Sequence, residues 1–321
     1  MMNGSMKQLK QWRPFYSTVG LLVFALIAAV TISDFRTFDN LITILRQSCV
    51  LVVLSIGLTS VLITGGIDLS VPATAGLIGC ICAQFLKMGM PIFWVFIAVI
   101  LLGALIGVIN GVLVSIIRLP SFVATYAVNW VVSGLSMIVM NGAVIYDLPE
   151  GFTWFGTGYV GPVPVIVLFT LVVVCIFWFL QSRTTIGRNI YLYGNGPTAA
   201  KYAGMSIPKT VIMAFIFSSV TAGLAGLLMV ARLNAADAAM GNAYLLEPIA
   251  ASVIGGTSML GGEGGVIGTV IGAVLLTIIV NVMNLLGLSS FAQPMVVGLV
   301  ILSIVLFDSY TRIRSQNKVT I

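Results

Sequence analysis

The sequence predicts an all-α, polytopic membrane fold of about ten transmembrane helices, and three observations carry that prediction. Of its 321 residues, 59% are apolar and only 7% charged, against roughly 25% charged in an ordinary soluble domain. A soluble fold of this length needs polar side chains to cover its surface, so the solvent here is lipid. Uncharged runs recur at about the 20 residues that carry a helix across a hydrocarbon core. Basic residues gather on alternate connections.

The runs lie at 14–33, 42–64, 70–86, 92–117, 121–141, 162–181, 210–231, 244–258, 264–286 and 291–308. The third and eighth are too short or too glycine-rich for plain spans and read as re-entrant or broken helices. Lys7, Lys10 and Arg13 resemble the head of a secretory signal, but the uncharged stretch from Pro14 to Ser33 exceeds a signal core and further runs follow it. With ten spans both ends share a side. Eleven Lys and Arg fall there: Lys7, Lys10 and Arg13, then Arg118, then Arg183, Arg188, Lys201 and Lys209, then Arg312, Arg314 and Lys318. The other side holds Arg36, Lys87 and Arg232, with Arg46 near a helix start. The positive-inside rule makes the richer side the cytoplasm. It places a cytoplasmic tail over 1–13, a transmembrane domain over 14–308 with a cytoplasmic loop at 182–209, and a second cytoplasmic tail over 309–321. The net charge of +6 is this bias and implies no nucleic-acid partner.

Histidine is absent, which removes imidazole metal ligands, Ser-His-Asp triads and histidine proton relays. Cys49, Cys80, Cys82 and Cys175 all sit in apolar stretches and suggest neither a disulfide framework nor a metal site. No catalytic and no metal-binding residue is expected.

Two segments share a glycine rhythm, Gly103/Gly107/Gly111 and Gly264/Gly268/Gly272, each presenting small residues every fourth position along one helix face. That spacing lets backbones approach closely where no hydrophobic effect draws helices together. Double glycines, Gly65-Gly66 and Gly255-Gly256, lie upstream of them at unequal distances. The pattern suggests a duplicated five-plus-five plan with unequal insertions.

Polarity enters the apolar field at few places. Thr64-Gly65-Gly66-Ile67-Asp68-Leu69-Ser70-Val71-Pro72 stops one run and opens another, with Asp68 or Ser70 able to cap the new helix and Pro72 suited to its first turn. It reads either as a tight turn or as a discontinuous helix whose backbone groups need protein or water partners. Asn129, beside Trp130 in the fifth run, and Asn281 with Asn284 in the ninth are amides at membrane depth. They either tie helices together or line a path for a hydroxyl-rich solute. Asp68, Glu247 and Glu263 fall near run ends, leaving ion coupling without an obvious carrier.

In the 182–209 loop, Pro197 followed by Thr198–Ala203 and Gly204 predicts a short surface helix. Gly194-x-Gly196 is no phosphate loop, since neither Lys201 nor Lys209 follows a glycine as a Walker motif requires.

This loop carries a resemblance. Gly187-Arg188, Gly194-Asn195, Ala199-Ala200 and Gly204-Met-Ser-Ile207 are similar to the cytoplasmic coupling loop of ribose-type ATP-binding cassette sugar permeases. Thr64–Val71, Pro120–Thr125, Val253–Ser258 with Gly261-Gly262, and Asn284–Ser290 match family blocks in the same order. The resemblance implies a type II-like importer permease fold in the bacterial inner membrane, paired with itself or a second permease. It implies a cytoplasmic ATPase, holding ATP and Mg, that docks on Gly194, Asn195, Pro197, Ala199, Ala200, Lys201 and Gly204. A periplasmic sugar-binding protein would deliver the sugar. Relatives often carry Arg-Gly where this chain has Ser133-Gly134, and Leu-Gly where it has Tyr126-Ala127. The substrate is therefore expected to be a monosaccharide or related polyol, not specifically ribose. The expected activity is transport driven by ATP hydrolysis in a partner; an ion-coupled secondary transporter is the alternative, and an intramembrane enzyme ranks behind both.

Overall fold

The computed structural model describes residues 13–289, 291–300, 302–303 and 306, with side chains from residue 18 onward. The expected tails at 1–12 and 309–321, with Lys7, Lys10, Arg312, Arg314 and Lys318, lie outside the described residues.

Among the described residues, six helices are long and apolar enough to cross a membrane: α2 (Phe38–Ile63), α4 (Ile92–Ser115), α5 (Ser121–Met140), α7 (Val165–Arg183), α10 (Ile207–Leu233) and α12 (Val266–Leu285). The first run forms α1 (Arg13–Thr31) and the third forms α3 (Val71–Lys87). The eighth shrinks to the short α11 (Glu247–Ile254), and residues 293–300 of the tenth are helical. The connection at 142–164 is more ordered than an open loop. It contains α6 (Glu150–Thr157), and β1 (Ile145–Tyr146) pairs antiparallel with β4 (Ala235–Ala236), while β2 (Tyr159–Val160) pairs with β3 (Val163–Pro164).

Local chemistry sets the boundaries. Thr37 caps α2, its hydroxyl accepting the Asn40 N–H at 3.3 Å. Asn141 and Asn234 end α5 and α10 in the left-handed region, with φ of 49° and 50°, which a short polar side chain tolerates better than most.

Helices α2 and α10 form the centre, and both are mostly buried. Around α10 pack α2, α3, α4 and α6; around α2 pack α7, α11 and α12; α1 lies on α12, and α5 covers α3. Most of the surface of α4, α5 and α7 faces outward and is apolar, as lipid demands.

The glycine stripes make this packing possible. A Cβ at Gly103, Gly107 or Gly111 would stand 2.8, 2.5 or 2.6 Å from the Cα of Val220, Ile216 or Ile212, so α4 lies on α10 backbone to backbone. The second stripe does the same for α12 on α11: a Cβ at Gly272 would meet the Ala251 carbonyl at 2.0 Å, and one at Gly255 would meet that of Gly268 at 2.2 Å. The double glycines take different surroundings: Gly255 packs on α12, whereas Gly65 lies beside the loop at Leu260 and Gly261, an added Cβ at Gly65 touching Leu260 O at 3.5 Å.

Gly107→Leu therefore forces α4 and α10 apart and should cost about 1–3 kcal/mol or more. Gly134→Leu meets nothing within 4 Å and should leave stability unchanged. Thermal melts in detergent check the contrast; equal melting temperatures would contradict the packing.

Candidate functional site: a broken helix and the junction at its end

After Ile63 the chain is not helical again until Val71. The stretch reaches into the bundle instead of turning at its edge. A Cβ at Gly226 would lie 2.1 Å from the Ala75 carbonyl, and Gly226 is ~28 Å along α10 from its start. Helix α3 thus begins inside, and Asp68, 1% exposed, is interior. Sequence position alone put this carboxyl near a span end; the dip of the non-helical segment carries it inward.

Lipid offers nothing to an unpaired backbone amide, and α5 supplies the partners. Ile67 N–H donates to Ser121 Oγ at 3.0 Å and Leu69 N–H to Thr125 Oγ1 at 3.0 Å, while the one Thr125 hydroxyl proton goes to Ser121 O at 2.8 Å, with Ile67 O at 3.2 Å the longer alternative. The next amide is held by Asp68, whose Oδ1 accepts Ser70 N–H at 2.9 Å and Ser70 Oγ at 2.6 Å. Asn110 of α4 donates to Ser70 Oγ at 2.8 Å. Asp68 and Ser70 thus form a local turn ahead of α3, whose N-cap is Ser70 with no side-chain cap bond, and Ser70 joins this turn to α4. Ser218 of α10 lies against the same carboxyl, and the interior oxygens Asp68 Oδ2 and Asn110 Oδ1 have no partner among the described residues.

At the other end of the break, Gly262 N–H donates to Ile63 O at 2.8 Å. This is where the predicted coupling loop meets the bundle. The loop forms two helices, α8 (Thr185–Asn195), capped by Thr184 Oγ1 on Gly187 N–H at 3.2 Å, and α9 (Pro197–Tyr202). Gly194 allows the contact: a Cβ there would collide with Ile63 O at 1.8 Å and Gly262 N at 2.5 Å. Asn195 Nδ2 donates to Gly262 O at 3.3 Å, and Tyr191 OH to Gly264 O at 2.8 Å. Burial pushes the Tyr191 hydroxyl up to about 12, so it stays a donor at neutral pH. Gln181 Oε1 accepts Val266 N–H at 3.0 Å.

In α9, Pro197, Ala199 and Lys201 are exposed, and Tyr202 is 87% exposed. Ala200 is turned inward at 4% exposure, so it packs within its own chain and is not part of the outward face. Gly204 ends the helix at φ 78°: its N–H bonds Lys201 O at 3.1 Å and Met205 N–H bonds Ala200 O at 3.1 Å, the Schellman closure that favours glycine.

The four pathway candidates are not brought together. Asn129 and Trp130 lie on α5, against α3 and α4, with Trp130 64% exposed beside Tyr126. Asn281 lies on α12, where it exchanges hydrogen bonds with Asn40 at 3.1 and 2.8 Å across to α2. Asn284 is exposed and accepts from Gln293 Nε2 at 2.6 Å. Sequence reading missed Asn40, Ser121, Asn110 and Tyr191. A hydroxyl at i and i+4, Ser121 and Thr125, on an otherwise apolar helix was the available signal.

These features define a multi-pass membrane protein of transport type: an apolar bundle, a helix broken at depth and an amphipathic helix pair beneath the break. The family model described as a branched-chain amino acid transport system permease component matches residues 40–307, and the chain belongs to this family. It is 37% identical to the ribose import permease protein RbsC of Haemophilus influenzae over 92% of each chain. It is 34% identical to the D-allose transport system permease protein AlsC of Escherichia coli K12, covering 89% of this chain and 88% of that one. It is 29% identical to the galactose/methyl galactoside import permease protein MglC of the same bacterium, covering 92% and 94%. The resemblance to ribose-type sugar permeases is thus end to end. No solved structure matches.

The buried Ser70 hydroxyl joins Asp68 to Asn110. Ser70→Ala should strand the Asn110 amide and leave Asp68 only the residue 70 N–H, and cost about 1–3 kcal/mol. A lowered melting temperature checks this; an unchanged melt would contradict the network.

Proposed function

We propose that this chain is the membrane-spanning subunit of an ATP-driven importer of a monosaccharide or related polyol. The observation that carries the reading is α9, a short helix at the end richest in Lys and Arg that offers Tyr202, Ala199, Lys201 and Pro197 outward while α8 roots it in the bundle. Relatives named for ribose, allose and galactose support the substrate class. In this reading the basic end and both termini are cytoplasmic. An ATPase carrying ATP and Mg docks on α9, with Gly194, Asn195, Ala200 and Gly204 shaping and anchoring the helix. A periplasmic sugar-binding protein delivers substrate to the opposite end, and a second permease subunit completes the path, which Asn129 and Trp130 of α5 line. This chain supplies no catalytic group; closure of the ATPase moves α9 and rocks the bundle between inward and outward states.

The ten-span, five-plus-five plan belongs to the same proposal. It is supported by the exchange of partners across the centre: α4 and α3 lie on α10 as α12 and α11 lie on α2. Ion-coupled secondary transport is the second reading, favoured by the interior carboxyl of Asp68.

Tyr202→Asp tests the docking surface. The exposed site should leave the permease melting within about 2 °C of wild type, because surface changes are usually worth under 0.5 kcal/mol. Co-purification of an ATP-binding cassette ATPase from the same genome should fall at least about tenfold, as expected when a charge enters a packed contact. Equal recovery would overturn the role of α9. Uptake driven by an imposed proton or sodium gradient without ATP would favour the second reading.

A further inference from the structure

The hydrogen bonds of the broken segment link two places that the proposed function keeps separate. One is the junction under α8, where Gly262 N–H holds Ile63 O and Asn195 Nδ2 holds Gly262 O. The other is the first turns of α5, where Ser121 and Thr125 hold Ile67 and Leu69. Between them run only residues 64–69, the first three closing the end of α2 as a turn. Ser121, Thr125 and Asn129 stand at i, i+4 and i+8, so the two hydroxyls that grip the segment share a helix face with the amide assigned to the pathway. Helix α5 otherwise exposes apolar surface and packs chiefly on α3.

We infer that residues 63–70 are a transmission strap: movement of α8 and α9 pulls the end of α2, and the strap passes that displacement to α5 through Ser121 and Thr125. Three features fit a strap better than a passive turn. The turn at 64–66 is bonded back onto α2, Gly66 N–H to Val61 O at 3.1 Å, and only Ile67–Leu69 separate it from Ser70, so little slack is available to absorb a displacement. Its lower end is clamped by a backbone contact at Gly194 too close for any Cβ, 1.8 Å from Ile63 O. Its upper end is held at two amides, Ile67 N–H by Ser121 Oγ and Leu69 N–H by Thr125 Oγ1. Thr125 and Ser121 are positioning residues that act through the strap and need not touch the sugar. The inference rests on the proposed docking of an ATPase at α9, and its test separates the two.

Thr125→Val keeps the shape of the side chain and removes its hydroxyl; Ser121→Ala removes the neighbouring grip; Thr125→Ser restores it. Each variant is reconstituted with its ATPase and binding protein. ATP hydrolysis is measured beside uptake of radiolabelled D-ribose, D-allose or D-galactose, whichever the wild type accumulates. Both hydroxyl-deleted variants should still co-purify the ATPase and hydrolyse ATP within about twofold of wild type, while sugar moved per ATP falls at least about fivefold and Thr125→Ser recovers it. Docking is scored independently by Tyr202→Asp, so its failure leaves the strap result readable. A merely structural role would lower hydrolysis and uptake by the same factor. That outcome overturns the strap, as does an unchanged ratio of sugar to ATP in both variants.

Discussion

Everything in this bundle depends on one constraint, that a backbone amide inside lipid must find its partner within the protein. The chain leaves helical geometry at Ile63 and does not regain it until Val71, which exposes several N–H and C=O groups in the interior. The amides of Ile67, Leu69 and Ser70 are answered by side chains, Ser121 and Thr125 from α5 and Asp68 from the segment itself, and the Ile63 carbonyl by the backbone N–H of Gly262 from the loop beneath. The break is tolerable because α5 stands close enough to reach it. Helices α3 and α4 can share α10 because glycine faces remove the side chains that would hold them apart.

Close approach and polar satisfaction are therefore two sides of the same design. At Gly103, Gly107 and Gly111 the space between α4 and α10 is filled by backbone, and dispersion replaces the hydrophobic drive that lipid denies. Beside this seam, one residue before Gly111 on α4, Asn110 reaches Ser70. Where glycines do not bring backbones together, buried hydroxyls do the joining: Thr59 of α2 lies 2.7 Å from Thr269 of α12 and 3.1 Å from Ser252 of α11. An Asn40–Asn281 pair closes the far end of the same interface.

Much of this was legible in the sequence because its causes are local. Run length gave the long helices, the four-residue glycine rhythm gave the faces that touch, and Pro197 with Gly204 gave α9 its start and stop. What was not legible depends on distant partners. Whether Thr64–Ser70 turns at the surface or dips inward is decided by hydroxyls on α5, over fifty residues away in sequence. Ala199 and Ala200 are chemically identical, and only the packing of α9 against its own chain turns one out and the other in. Asn281 and Asn284 share a spacing, yet Asn40 claims the first and Gln293 the second.

Hydrogen–deuterium exchange in lipid nanodiscs tests the central claim most directly, because it reads the bonding of each amide in the broken segment. If residues 66–70 are held as described, their amides exchange as slowly as those in the middle of α2 or α10, and Thr125→Val speeds Leu69 selectively. Exchange as fast as in the exposed turn at 203–206 would mean that the segment is solvated and unpartnered, and would contradict the account.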